Sequence, residues 1–280
     1  MNQRIRIGII TGTGITLEAD AMSPAIQHIE RIAVQTRYGV ASITKVIWCN
    51  DNIANGVKEL ILLPRHGKEH SIPAHCINYK ANIAAMKRMG VIAIFGTAAV
   101  GGLKPHLSPG DIVLPDQFVD WTVRRPLSFF DELGSPLVHI DMSQPYCITL
   151  RRLLRTAAQE LRIPVRDGAC YFCADGPRYE TAAEVRMMAQ LGGDIVGMTS
   201  AAEAVLAREA EICYATIAVV TNLGAGIASC PLSHAEVEAQ MHQTATHVAR
   251  LLMRAVELYD GADCFCRHAL DSYPDVEVPL

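Results

Sequence analysis

Short apolar runs alternate with helix-length segments along the whole chain, and this alternation restricts the fold more than any other feature of the sequence. Residues 4–10, 60–63 and 91–95 are apolar runs typical of buried strands. Residues 78–89 show helical spacing of apolar side chains, and Gly90 follows as a common C-terminal stop. Alternating strands and helices favour an α/β fold with a central sheet.

The rest of the chain continues this pattern. Further strands are expected at 111–114, 165–172 and 212–220, and further helices at 150–161, 180–191, 201–210 and 234–258. No internal repeat or linker-like stretch divides the chain, so we expect one domain over residues 1–260 and a peripheral tail over residues 261–280. The simpler interpretation of Cys264 and Cys266 is a loosely packed tail, a redox pair or disulfide is the alternative, and one pair is too few for zinc.

Composition narrows the classes of function. The 280 residues carry 25 basic and 29 acidic side chains with no charge run, so no nucleic-acid partner is expected. No apolar stretch reaches the ~18 residues of a membrane span, so no membrane partner is expected either. The nine cysteines are odd in number and mostly in apolar settings, which favours reduced thiols in the cytoplasm.

Two polar segments directly follow predicted strands, where open α/β sheets place their ligands. The glycine-rich segment 11–14 can wrap an anion with backbone N–H groups, and an ordinary tight turn is equally compatible with it. Arg65 and His66 place a guanidinium fork and an imidazole after residues 60–63, which suits bidentate phosphate recognition. A surface salt bridge is the alternative for this arginine.

Two further segments suggest a site for a flat ligand. Residues 96–102 are small and follow a buried strand, which favours a floor for such a ligand, although close helix packing needs similar residues. Residues 176–181 place an aromatic side chain and a carboxylate at a helix entrance, where a dipole-matched Glu is the simpler interpretation. None of these segments decides the function alone.

Together, and in this order, the motifs resemble the trimeric nucleoside phosphorylase family, which contains purine nucleoside phosphorylase and methylthioadenosine phosphorylase. The resemblance covers residues 5–258, and its most specific parts are 63–67 with His70, 78–82, 109–113, 176–178, and 197–199 followed by Glu203. It implies a single α/β domain with a mixed, distorted, barrel-like sheet flanked by helices. It also implies a homotrimer that cleaves purine nucleosides with phosphate, without a metal or an organic cofactor.

Matching motifs also carry over individual roles. The phosphate site implied by the resemblance comprises Thr13, Arg65, His66, Ala99 through its N–H, and Thr199. The implied nucleoside contacts are Ala98, Tyr179, Met198, His234, and His139 reaching a neighbouring subunit. Ala98 stands where the methylthioadenosine branch usually has Thr, so that hydroxyl contact is missing here.

Glu180 and Asn222 indicate the base, because family members that take adenine nucleosides usually have Ser and Asp at these positions. A 6-oxopurine presents an N1–H that the Glu180 carboxylate can accept, whereas adenine presents a lone pair there. Asn222 can donate to N7 or O6 as charge builds on the leaving base. We therefore expect a 6-oxopurine nucleoside phosphorylase of purine salvage, taking inosine or guanosine, with Glu180 and Asn222 as its catalytic residues.

The sequence leaves alternatives open for the 5′ substituent of the substrate and for the class of function. His234 favours a 5′-hydroxyl, although it can equally be a solvent-exposed residue, and His139 favours the methylthio branch. A methylthioinosine or methylthioadenosine phosphorylase therefore stays open. A non-catalytic purine-binding protein and a nucleoside hydrolase are the rivals from other classes, and the intact phosphate motifs disfavour the first.

Overall fold

The computed structural model describes residues 4–14, 26–49, 57–67, 70–125, 128–227 and 233–280. Its strands are β1 Ile5–Thr11, β2 Ile26–Thr36, β3 Gly39–Cys49, β4 Val57–Pro64, β5 Ala93–Gly102, β6 Ile112–Leu114, β7 Gln117–Asp120, β8 Arg166–Asp167, β9 Cys170–Cys173, β10 Ile195–Gly197 and β11 Cys213–Leu223. Its α-helices are α1 Tyr79–Arg88, α2 Ile148–Leu161, α3 Ala182–Gln190, α4 Ser200–Glu209 and α5 His234–Leu258, with short 3₁₀ turns at Ala74–Cys76 and Phe265–His268. Within these ranges, no helix is both long enough and apolar enough to cross a membrane.

The eleven strands form one mixed sheet that branches at β5. β5 pairs in parallel with β1 on one side and with β11 on the other. At its end, Gly101 and Gly102 pair with β10 in antiparallel orientation. β1 continues through β4 to the antiparallel strands β3 and β2, whereas β11 continues to β6 and β8. This mixed, branched sheet confirms the expected α/β fold.

The central strands are buried on both faces, because helices cover both sides of the sheet. On one face, alternate residues of β1 and β11 pack against α2 and α5, as Ile9 and Ile217 do beside Leu154 and Leu251. On the other face, Ile10 and Tyr214 belong to a cluster with residues of α1 and α4. Nearly continuous apolar sequence is expected for strands covered on both faces, and this is why these strands were predictable.

Most predicted elements are present, and the differences have local causes. The strand predicted from residue 91 begins at Ala93 and runs on through the small residues to Gly102. The strand predicted at 165–172 is divided into β8 and β9, with Gly168 at a φ of 92° between them. The helix predicted from residue 180 begins at Ala182, because Thr181 is its N-cap.

The long hairpin of β2 and β3 was not predicted. β2 is mostly exposed, and His28, Glu30 and Arg31 interrupt its apolar residues, so no apolar run marks it. The signal that could have found it is the alternation of β3, where Ala41 and Ile43 are buried between exposed neighbours. Strands with one solvated face show this alternation rather than an apolar run.

The prediction of a loosely packed tail is wrong for the cysteines after Gly261. Cys264 and Cys266 belong to the core cluster between the sheet and α2, and Cys266 is 1% exposed. Leu270 is buried as well. The segment therefore packs on the domain, although its composition resembles that of a surface tail, and the division at residue 260 stays a prediction.

Candidate active site

A cavity of about 290 Å³ lies where β1, β4, β5, β10 and β11 end. Its size is at the low end for small-molecule sites. Of the predicted site residues, all except His139 line it: Thr13, Arg65, His66, Ala98, Ala99, Tyr179, Glu180, Met198, Thr199, Asn222 and His234. The fold therefore brings together motifs that are up to 221 positions apart, from Thr13 to His234.

Arg65 directly follows β4, and its side chain is only 1% exposed. Its Nε donates to Glu203 Oε1 at 2.6 Å and its Nη2 to Glu203 Oε2 at 2.9 Å. Its Nη1 donates to the carbonyl oxygen of Thr97. The surface salt bridge considered from the sequence is therefore wrong, and so is the bidentate grip on phosphate, because Glu203 occupies the fork. Among the described residues, the second N–H of Nη1 has no partner, and Arg65 lines the cavity.

The sequence motif that contains Glu203 indicates no role for this residue, but its contacts in the structure do. It lies on the first turn of α4, and its side chain is 2% exposed. Besides pairing with Arg65, it accepts a hydrogen bond from the Tyr214 hydroxyl at 2.7 Å. Burial lowers the pKa of Arg65, and the Glu203 carboxylate more than reverses this. Glu203 thus fixes the arginine's charge and orientation.

Buried hydroxyls extend this arrangement away from the cavity. Thr216 donates to Tyr214 at 2.9 Å and lies 2.8 Å from the Ser200 hydroxyl, which lies 2.9 Å from the hydroxyl of Tyr146. Each of these groups has a partner, as buried polar groups require. Sequence inspection could not find this chain of contacts, because its members come from separate elements.

Two glycines make room for the arginine and its partners. A Cβ on Gly12 would lie 2.5 Å from Arg65 Nη1 and 2.8 Å from the Thr97 carbonyl oxygen. A Cβ on Gly96 would lie 2.7 Å from the Tyr214 hydroxyl oxygen. The Gly12 N–H also donates to the Thr97 hydroxyl at 3.0 Å, which ties residues 11–14 to β5. These residues therefore form part of the site.

Thr199 lies at the start of α4 and is buried beside the cavity. It is the N-cap residue, but its hydroxyl caps none of the helix N–H groups. The hydroxyl instead lies beside the buried Tyr171 hydroxyl, and the residue is next to the positive end of the helix dipole, which favours an anion. With Ala99 and Thr13 it completes a region rich in hydrogen-bond donors, which suits an anion.

Three histidines line one side of the cavity. The rings of His66 and His70 stack at 4.0 Å, and those of His70 and His234 lie 6.0 Å apart. His66 Nδ1 lies 2.8 Å from the carbonyl oxygen of Ile72, which only accepts, so Nδ1 carries the proton. Burial, followed by the charge of Arg65, lowers the pKa of His66 to about 4. His66 is therefore neutral near pH 7 in the free protein.

Glu180 also lines the cavity and lies just before α3. The helix start is satisfied by a capping box between Thr181 and Glu184, and Arg178 pairs with Glu184 at 2.7 and 2.8 Å. The dipole-matched acid of this helix is therefore Glu184, so that interpretation of Glu180 is wrong. Burial raises the pKa of Glu180.

A β-bulge in β11 sets the orientation of the Asn222 side chain. The register with β5 shifts between Val220 and Asn222, and bulges of this kind redirect side chains. The Thr221 hydroxyl donates to Asn222 Oδ1 at 2.9 Å, and Nδ2 donates to the Leu223 carbonyl oxygen at 3.1 Å. The amide is thereby oriented with Nδ2 as donor, and one of its N–H groups stays available.

Tyr179 and Met198 line the same cavity. Gly176 has a φ of 69°, and a Cβ there would lie 2.4 Å from Met198 Sδ, so glycine is required for this approach. Ala98 belongs to the β5 floor and is 4% exposed. The small residues of β5 therefore face the ligand space, as the sequence indicated.

His139 lies elsewhere, on an exposed loop. Its backbone N–H donates to the Tyr273 hydroxyl at 3.0 Å, and that hydroxyl lies 3.3 Å from its carbonyl oxygen. It does not line the cavity of its own chain. Its expected role at a neighbouring subunit stays a prediction.

The site can be compared with known proteins. The chain is 43% identical over 271 residues to a 6-oxopurine nucleoside phosphorylase from Pyrococcus furiosus, covering 95% of this chain and 97% of the relative. It is 41% identical over 270 residues to a probable S-methyl-5′-thioinosine phosphorylase from Thermodesulfovibrio yellowstonii, covering 96% and 97%. The crystal structure of a methylthioadenosine phosphorylase from an Antarctic soil metagenomic library superimposes with a TM-score of 0.84 at 30% identity, covering 96% of this chain and 92% of that one.

The phosphorylase superfamily model matches residues 6–257, which include every residue that lines the cavity. The matched part also contains the branched sheet and the Arg65–Glu203 pair. Family model, relatives and fold agree, and the chain therefore belongs to the phosphorylase superfamily.

Proposed function

We propose that the protein cleaves 6-oxopurine nucleosides with inorganic phosphate, releasing the free base and ribose 1-phosphate. The observation that carries the proposal is that one cavity joins two kinds of site. Its lining includes Arg65 and Thr199, which suit an anion, together with Glu180 and Asn222, which suit a purine with an N1–H. The names of the relatives support the same function.

Glu180 distinguishes purines by whether N1 donates or accepts a hydrogen bond. An ionised Glu180 accepts only, so it pairs with the N1–H of hypoxanthine or guanine and with the 2-amino group of guanine. Facing adenine, it would meet the N1 lone pair, which costs about 1–3 kcal/mol for an unpaired buried group. Discrimination against adenosine therefore follows from the carboxylate itself.

Asn222 serves the leaving group. As the glycosidic bond breaks, electrons pass to the purine, and negative charge builds on N7 and O6. The free N–H of Asn222 Nδ2 donates to that charge, and the contacts with Thr221 and Leu223 hold the amide in place beforehand. A preorganised donor of this kind stabilises the transition state more than the ground state.

The residues that suit an anion hold phosphate, which is the nucleophile. Phosphate accepts from the remaining Nη1 hydrogen of Arg65 and from Thr199, Thr13 and the Ala99 N–H. Its negative charge stabilises the cationic sugar formed as the base departs, and a phosphate oxygen then forms the new bond to C1′. Held reactants and fixed donors supply the catalysis.

Base release from inosine, guanosine and adenosine, each with and without phosphate, tests the proposal. We expect hypoxanthine or guanine only when phosphate is present, with adenosine reacting far more slowly. Base release without phosphate would indicate a hydrolase, and nucleoside binding without product would indicate a binding protein. A double variant, Asn222→Asp with Glu180→Ser, should shift the preference toward adenosine, and unchanged inosine preference would contradict the assigned base contacts.

A 5′-methylthio substrate is the second candidate, and Val237 favours it. Val237 is 6% exposed and lines the cavity one turn after His234, which itself is exposed and pairs with Glu238 at 3.4 Å. An apolar wall suits a methylthio group, whereas His234 suits a hydroxyl. Comparing kcat/KM for methylthioinosine with kcat/KM for inosine separates the two candidates. If the hydroxyl is the natural group, His234→Ala should lower kcat/KM for inosine alone.

We also propose a homotrimer in which His139 reaches the neighbouring site. Trp121, Val123 and Leu137 are 53%, 84% and 79% exposed, and large exposed apolar side chains often mark interfaces. Light scattering should give three chains per particle. His139→Ala should raise the nucleoside KM without changing the phosphate KM, and a monomer with full activity would refute this arrangement. A cytoplasmic location, with reduced cysteines, goes with this proposal.

A further inference from the structure

Four cysteines from distant parts of the sequence meet in the core. Their sulfur atoms, on Cys147, Cys213, Cys264 and Cys266, all lie within 4.8 Å of one another, and all four residues are buried. The Sγ atoms of Cys147 and Cys264 lie 3.6 Å apart, and those of Cys264 and Cys266 lie 3.7 Å apart. The second cysteine pair that a zinc site requires is thus supplied by the fold.

The spacing is that of a tetrahedral metal cage. Zn²⁺ binds thiolates at about 2.3 Å in a tetrahedron, which places the sulfurs about 3.8 Å apart. A disulfide needs about 2.0 Å between bonded sulfurs. The separations of 3.6 and 3.7 Å match the first arrangement and all others are within 4.8 Å, and we propose that the four cysteines bind one structural Zn²⁺.

The surroundings suit the charge of such a site. Zn²⁺ with four thiolates carries two net negative charges, which need compensation in a buried position. The buried Arg208 donates from Nη2 toward Cys266 Sγ at 3.6 Å, and its guanidinium lies 4.7 Å from the Phe265 ring. Cys147 is the N-cap residue of the 14-residue helix α2, at the positive end of its dipole.

Other contacts orient the ligands and their cationic neighbour. The Thr149 hydroxyl points to Cys264 Sγ at 3.8 Å. Arg208 is itself fixed by the carbonyl oxygens of Asp141 and Gln144, at 2.9 and 2.6 Å. Such outer contacts tune metal–thiolate sites. Since protein thiolates fill all four positions, the metal has no open position for substrate, and its role is structural.

The site would join three separate elements. Cys147 precedes α2, Cys213 begins β11, and Cys264 and Cys266 flank the start of the 3₁₀ turn after α5. Binding displaces the thiol protons and fixes the final segment onto the sheet. This explains how a segment with the composition of a surface tail becomes part of the core.

Metal analysis of the full-length protein tests the proposal. The protein is purified under reducing, anaerobic conditions, treated with Zn²⁺ and desalted, and we expect one zinc per chain. Replacement by Co²⁺ should give the visible bands of a tetrahedral tetrathiolate site. Removing zinc with a chelator should lower Tm by at least about 5 °C, because a ligand bound only to the folded state stabilises it.

Variants locate the metal. Cys264→Ser with Cys266→Ser should abolish zinc retention and the cobalt bands, whereas Cys76→Ser, at an exposed cysteine outside the cluster, should keep both. If the double variant fails to fold, the cobalt spectrum of the wild-type protein still decides the ligand set. Wild-type protein that retains less than about a tenth of a zinc per chain after treatment overturns the proposal. So do disulfides among these cysteines that persist under reducing conditions, detected by mass.

Discussion

Glu203→Gln removes the negative charge that faces the Arg65 guanidinium while keeping the size of the side chain. In the native protein the two contacts are 2.6 and 2.9 Å long, and the side chains are 1% and 2% exposed. Removing one partner of a buried ion pair costs about 3–5 kcal/mol, because the other charge is left uncompensated. With about 2 °C per kcal/mol for a chain of this length, Tm should fall by roughly 6–10 °C.

The same change should weaken phosphate binding more than nucleoside binding. A glutamine keeps only one acceptor oxygen and turns an NH2 group toward the guanidinium, so one of the two contacts is lost and the arginine is held less firmly in its orientation. We expect the phosphate KM to rise by about tenfold or more, as for other misplaced binding groups. Steady-state phosphorolysis of inosine at varied phosphate, together with thermal unfolding, measures both effects.

Tyr214→Phe is the matched control. It removes the 2.7 Å hydrogen bond to the same carboxylate and the 2.9 Å hydrogen bond from Thr216, but leaves the ion pair intact. Two lost hydrogen bonds cost about 1–3 kcal/mol, so its loss of Tm should be roughly half of that in Glu203→Gln. If the two variants lose equal stability, or if Glu203→Gln keeps the phosphate KM of the wild type, the pair does not have the assigned role.

Three further predictions concern individual site residues. Burial raises the pKa of Glu180, and protonation removes the negative charge that faces N1–H and adds a donor in its place. The value of kcat/KM for inosine should therefore fall as the pH drops through this raised pKa, and Glu180→Gln should abolish the pH dependence on the acid side. His66 should titrate near pH 4 in phosphate-free buffer by NMR, and saturating phosphate should raise this pKa, since a nearby anion favours the charged ring; an unmoved pKa would place phosphate elsewhere. Gly12→Ala should raise the phosphate KM at least about tenfold, because its Cβ would lie 2.5 Å from Arg65 Nη1, and an unchanged value would mean that the arginine does not contact phosphate.

The sequence predicted the contents of the cavity better than its internal contacts. Arg65, Glu180 and Asn222 belong to short motifs whose order along the chain identifies the fold, so their meeting in space could be expected. The partner of Arg65 could not, because Glu203 lies 138 positions away and is one of several acidic residues on predicted helices. The register shift at Thr221 leaves no mark in the pattern of apolar residues.

The meeting of the four cysteines could not be predicted from the sequence either. Cys264 and Cys266 are visible as a pair, but Cys147 and Cys213 lie 117 and 51 positions before Cys264 and stand alone in apolar surroundings. Only the sheet and α2 bring the four together. Their number and spacing decide whether a metal can bind, and neither can be derived from the pair itself.

The cysteine cluster and the hydrogen-bond network of Arg65 and Glu203 use neighbouring residues of the chain, but these neighbours lie in different core clusters on opposite faces of the sheet. Cys213 packs with α2 and α5, whereas Tyr214, the next residue of β11, faces the cluster that includes α1 and α4. Cys147 and Tyr146 are divided in the same way. Since neighbouring strand residues point to opposite faces, the loss of the metal should reach Arg65 only indirectly. The routes are the backbone of β11, the backbone at residues 146–147, and Arg208, which contacts Cys266 and lies on α4 together with Glu203.

We therefore expect the Cys264→Ser, Cys266→Ser variant to lose Tm while its folded fraction keeps the phosphate KM of the wild type. Glu203→Gln should show a large change in both quantities. Measuring Tm and phosphate KM for the two variants side by side separates the two faces of the sheet. A tenfold rise in phosphate KM on loss of the two cysteines would show instead that the metal site holds Glu203 in position, through Tyr214 or through Arg208 on α4.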